Sequence, residues 1–118
     1  MEIMFVTITG SNHYYGLTPF KVGGIVKLEK EKSNSYDSEA IQVKMPYIDT
    51  VGYVANSPNT TFKGTHSAGR IYDRIGDFVY ARIMFVTHSS AIALVLSEEV
   101  NEACDKMFSE TDVEVIKF

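Results

Sequence analysis

Six short runs of apolar and β-branched residues, each closed off by turn-forming residues, constrain this chain more than any other feature. They fall at 3–9, 25–29, 40–44, 51–55, 78–87 and 91–96, with turn signals at Gly10, Gly16, Gly23-Gly24, Asn34, Ser57-Pro58 and Ser89-Ser90. Runs of this length and period form strands, because alternate side chains leave a pleated backbone on opposite faces. Val79 through His88 and Ala91 through Leu96 are separated only by Ser89-Ser90, which predicts a hairpin that closes the sheet. Between the fourth and fifth runs lies a less regular stretch, Asn56 to Asp77, where Ser57-Pro58 reads as one helix start and Ser67 to Ile75 as a second short helix. The expected fold is mainly β, a small six-stranded antiparallel barrel carrying two short helices.

The character changes after Leu96. Ser97 is placed to cap a helix, Glu98 and Glu99 follow in its first turn, and Val100, Ala103, Cys104, Met107 and Phe108 recur at helical spacing. Val113 to Phe118 then reads as a final strand or an extended tail. We therefore expect a barrel over 1–96 and a C-terminal helix and tail over 97–118, packed on the same domain and covering an open end of the barrel.

A chain of 118 residues is long enough for one domain with its own core and no metal or disulfide staple. Its one cysteine, Cys104, has no internal partner and reads as a buried thiol in a reducing compartment. The first run is too short and mixed for a signal peptide, and no run approaches a membrane span, so a cytoplasmic location away from membranes is expected. Residues 1–95 carry nine Lys and Arg against eight Asp and Glu, a net of +1. Residues 96–118 carry two against seven, a net of −5, which together give the chain its −4. A near-neutral body is unlike a duplex binder that lives on neutralised phosphates, yet suits a module that grips one strand end by stacking.

The loop-to-strand corner Asn34-Ser35-Tyr36-Asp37-Ser38-Glu39-Ala40-Ile41 mixes turn chemistry with an aromatic ring and an acid. A short strand and Val51-Gly52-Tyr53-Val54 follow it, and Gly10-Ser11-Asn12-His13-Tyr14-Tyr15-Gly16 and Pro19-Phe20 precede it. This order of motifs, N-x-Y-D-x-x-A-I and then V-G-Y-V behind a Gly-bounded aromatic loop, resembles the HIRAN domain over roughly Ile3 to Leu96. The stretches 53–57 and 64–73 resemble a bacterial stand-alone branch of that family. The resemblance implies a modified OB- or SH3-like barrel that captures the 3′ end of single-stranded DNA. In such domains the tyrosine matching Tyr36 stacks on a terminal base, and the aspartate matching Asp37 accepts a hydrogen bond from the 3′-hydroxyl. A carboxylate accepts from a free hydroxyl and repels a terminal phosphate.

On the residues alone, Asn34 and Asp37 fit an Asx-type turn in which Tyr36 packs locally, and Gly52 fits close approach of backbone or ligand. His13, Tyr14, Tyr15 and Tyr53 are the expected stacking wall, beside Asn12. Family members carry an arginine and a tyrosine where Asn12 and His13 stand, so a phosphate-pairing fork is lost here. Lys63, Arg70 and Arg74 are the expected phosphate contacts around a Gly/Ser/Thr-rich turn that lacks the Walker pattern. His13, His66, His88 and Cys104 lack paired zinc spacing, so no metal or other cofactor is expected, and no catalytic residue is proposed. Hydrolase, helicase or zinc activities would belong to fused or partner proteins, and a separate helicase or nuclease is the enzyme such a module would direct. The expected role is recognition of free ends in DNA repair or replication-fork processing. The alternative is an adaptor that binds a protein through Val100, Cys104 and Phe108.

Overall fold

The computed structural model describes residues 3–46 and 48–116. Six strands form: β1 (Phe5–Thr9), β2 (Ile25–Lys30), β3 (Ile41–Met45), β4 (Asp49–Val54), β5 (Phe78–Val86) and β6 (Ala91–Val95). They close into an antiparallel barrel in the order β1-β4-β3-β2-β5-β6, and β6 returns to β1 with Val6 opposite Ala93. The expected barrel and its closing hairpin are therefore present, and the β5–β6 turn is held by Thr87 N–H on the Ser90 carbonyl at 2.8 Å.

Period-2 alternation builds the core. Val6 and Ile8, Val26 and Leu28, Ile41 and Val43, and Val79, Ala81 and Ile83 are all buried, and Val51 and Val54 of β4 join them where the β3–β4 register shifts. Alanines 91 and 93 supply the small inward residues of β6. Two side chains break the pattern informatively. Thr7 and Tyr80 are fully buried although their neighbours point inward, because other segments cover the outer face there. Segment 60–67 crosses β1: the Thr7 hydroxyl accepts from Phe62 N–H at 3.1 Å and lies 2.9 Å from the Thr65 hydroxyl, while His66 N–H reaches the Phe5 carbonyl. Gly52 answers to backbone, not ligand. A Cβ there would stand 2.9 Å from the Thr9 carbonyl oxygen and 3.1 Å from Ile8 Cγ2, so β1 and β4 meet only because β4 has glycine at this point.

The helices differ in part from expectation. No helix begins at Ser57-Pro58. The Ser57 carbonyl accepts from Thr60 and Thr61 N–H, and the single turn stops there. The second expected helix forms as α1 (Ala68–Tyr72), capped by Ser67 Oγ accepting from Arg70 N–H. A 3-10 turn at Ser11–His13 lies in the Gly10–Gly16 loop, with Gly10 and Gly16 both at positive φ.

Ser97 does cap the C-terminal unit, accepting from Glu99 N–H ahead of a 3-10 turn at Glu98–Val100 and then α2 (Asn101–Ile116). Helix continues through Ile116 where an extended tail was expected from Val113, and 117–118 lie outside the described residues. The face of α2 that meets the barrel is also rotated from the expected stripe. Cys104 is buried and Phe108 packs edge-on against Tyr80 at 5.1 Å, but Val100 (38 % exposed), Ala103 and Met107 (52 % exposed) look outward. Asp105 accepts from the Tyr80 hydroxyl, so these contacts of α2 are to the outer face of β5 and not to an open barrel end.

Candidate nucleic-acid interface

The corner before β3 is set by its own side chains. Asn34 Oδ1 accepts from the N–H groups of Tyr36 at 2.8 Å and Asp37 at 2.9 Å, and Asp37 Oδ1 accepts from Glu39 N–H at 2.9 Å. This is the Asx turn the residues predicted. The ring of Tyr36, however, does not pack locally: it is 99 % exposed. A rigid turn thus presents an unpacked aromatic face to solvent, an arrangement suited to stacking on a base.

Behind the turn, Glu31 holds two partners. Its Oε1 accepts from Asn34 Nδ2 at 2.7 Å and its Oε2 from the Tyr53 hydroxyl at 2.8 Å. Burial raises the Tyr53 pKa well above that of an ordinary tyrosine, and the bonds to Glu31 and Tyr14 raise it further, so the hydroxyl stays protonated as a donor. The Tyr14 ring lies 6.4 Å from the Tyr53 ring at 40°. The Gly10–Gly16 loop and the Asn34–Asp37 turn are therefore joined through Tyr14, Tyr53 and Glu31.

Asn34, Tyr36, Asp37 and Tyr53 come together in the lining of an open concavity of about 590 Å³, which Asn56, Ser57 and Thr60 also line. Asn56 is also part of a neighbouring concavity of about 360 Å³ that holds Lys63, Gly64 and Arg70. Arg74 is placed apart from both, with Nη1 4.0 Å from Met4 Sδ in a cleft beside Ile75 and Glu98. Asn12, His13 and Tyr15 are exposed on the Gly10–Gly16 loop and do not line the first concavity. Glu31, Asn56, Ser57 and Thr60 were not foreseen. A polar residue just past a strand, as Asn56 is two residues beyond β4, was the one signal available; the reach of Glu31 to Tyr53 spans 22 positions and leaves no local trace.

Among the described residues no group of three or more His, Cys, Asp or Glu is arranged to hold a metal ion. Nor does any described helix have the length and apolar character to cross a membrane.

Fold and site define a small closed β-barrel with an aromatic and acidic corner at a strand mouth. The HIRAN domain model matches residues 1–100, and the chain belongs to the HIRAN domain family. HIRAN domains are nucleic-acid-binding modules. Two solved structures share the fold. One is a protein from Lactobacillus plantarum, 23 % identical, with TM-score 0.55 over 80 % of this chain and 93 % of that one. The other is the HIRAN domain of human HLTF, 16 % identical, with TM-score 0.56 over 92 % of this chain and 87 % of that one. No curated protein matches the chain. Helix α2 begins just beyond the matched residues.

Proposed function

We propose that this domain binds the 3′ end of single-stranded DNA, without catalysing a reaction on it, as a recognition module for repair or replication-fork processing. The observation that carries the reading is the pairing of Tyr36, fully open to solvent, with Asp37 at the mouth of the concavity. The terminal base stacks on Tyr36, and the 3′-hydroxyl donates to Asp37 Oδ2, the oxygen not used by the turn. Tyr53 and Tyr14 extend the aromatic wall, and Lys63 and Arg70 take phosphates of the strand as it leaves. Arg74, placed elsewhere, and Asn12, His13 and Tyr15, on the neighbouring loop, contribute at most to the outer strand. A separate helicase or nuclease supplies any chemistry.

Fluorescence anisotropy with a short oligonucleotide ending in a 3′-hydroxyl, the same strand ending in a 3′-phosphate, and a blunt duplex tests the reading. Binding should be tightest to the first. Equal binding to all three rules out end recognition.

A further inference from the structure

Asn56 lies two residues beyond the end of β4 and joins α1 to the corner before β3. Its Oδ1 accepts from Gly69 N–H in α1 at 2.8 Å, while its Nδ2 faces Asp37 Oδ2 at 3.4 Å and Glu39 Oε1 at 3.5 Å. Only one orientation of the amide satisfies these neighbours. A backbone N–H can only donate and an ionised carboxylate can only accept, so the carbonyl end must turn to Gly69 and the NH2 end to the two acids. The junction is tight as well: a Cβ on Gly69 would stand 2.7 Å from Glu39 Oε1 and 3.2 Å from Asn56 Oδ1. Backbone reinforces it, since Ala68 N–H reaches the Ala55 carbonyl at 2.9 Å.

We propose that Asn56 is a positioning residue that aims the free carboxylate oxygen of Asp37 and so sets the preference for a strand end bearing a hydroxyl. The proposal rests on the end-binding reading above and adds to it the residue that makes the acid selective. Asp37 Oδ1 is held by Glu39 N–H at 2.9 Å, which leaves Oδ2 as the acceptor for a ligand. The Asn56 amide fixes Oδ2 from one side and shares its protons between two like charges that would otherwise push apart, leaving the remaining lone pair toward the concavity.

The test compares three proteins, wild type, Asn56→Ala and Asn56→Asp, on two oligonucleotides that differ only in a terminal 3′-hydroxyl or 3′-hydrogen. Asn56→Asp retains an oxygen for Gly69 N–H, so it guards against a result caused by loss of that anchor. In wild type the hydroxyl end should bind better. In both variants the ratio of the two affinities should fall about fivefold, the loss expected for one misaligned hydrogen bond. If both affinities fall by the same factor along with the melting temperature, Asn56 only supports the fold and the assignment is overturned. If wild type discriminates and both variants keep its ratio, the assignment alone fails. If wild type itself does not discriminate, the end-binding reading fails first and takes this one with it.

Discussion

Tyr36 and Asp37 are adjacent in the chain but answer to different physics. The ring of Tyr36 buries nothing in the folded protein, so its removal should leave stability untouched and act on binding alone. Tyr36→Ala is expected to weaken oligonucleotide binding by about five- to 150-fold, the range for one base stacked on one ring, with an unchanged melting temperature. Unchanged affinity in titration would remove the residue from the site. Asp37 acts through charge and one accepted hydrogen bond. Asp37→Asn keeps the shape and should erase most of the preference for a 3′-hydroxyl over a 3′-phosphate; a variant that still discriminates would contradict the role given to the acid. Both residues were visible in the sequence because turn chemistry is local. Their long-range supports were not, since the Glu31 bond to Tyr53 and the Asn56 bonds form only after the fold has brought β2, β4 and α1 together.

At the scale of elements, β1 approaches β4 closely at Gly52. Gly52→Ala would force the Thr9 carbonyl aside and should cost about 1–3 kcal/mol in denaturant unfolding, as overpacking usually does. A neutral result would mean the strands can part there freely. Helix α2 is anchored differently, with Tyr80 at the centre of its contacts. Tyr80 is fully buried, its ring meets Phe78 and Phe108 edge-on, and its hydroxyl donates to Asp105. That bond explains why the helix shows the barrel the face carrying Asn101, Cys104, Asp105 and Phe108 and not the more apolar stripe that periodicity favoured. A buried phenol needs an acceptor, and Asp105 outranks Met107 for the place.

Burial chiefly, then the bond to Asp105, raises the Tyr80 pKa above the ordinary tyrosine value, as burial and Glu31 do for Tyr53. The folded chain therefore keeps protons that the unfolded chain releases. Stability from these hydroxyls is complete below about pH 10 and falls as pH rises beyond it. Melting temperatures should drop above that pH, and Tyr80→Phe should flatten the drop while costing about 0.5–1.5 kcal/mol at neutral pH. An equally steep alkaline loss in Tyr80→Phe would show that this hydroxyl is not its source.

For the molecule as a whole, the six strands were legible because alternation writes burial directly into the sequence, Val6 and Ile8 or Val26 and Leu28 being inward by parity alone. The stretch from Asn56 to Asp77 was less so. Its course is fixed by Thr7 and by the backbone of Phe5 and Ala55, contacts that no local pattern encodes. Charge is likewise a property of the whole, with a near-neutral barrel that places Lys63 and Arg70 beside the site and Glu31, Asp37 and Glu39 around it. About two neutralised phosphates of a single strand give a log–log salt slope of about −1.4. A slope several times steeper would indicate a duplex binder.

The site itself is tested most directly by backbone amide chemical-shift mapping on the isotopically labelled full chain, titrated with a short single strand ending in a 3′-hydroxyl. Shifts should cluster at Asn34 to Ala40 and Tyr53 to Thr60, spread weakly to Lys63 and Arg70, and leave Tyr80 and Cys104 unmoved. Shifts centred on β5 and α2, or none at saturating strand, would contradict end binding at the Tyr36 and Asp37 corner.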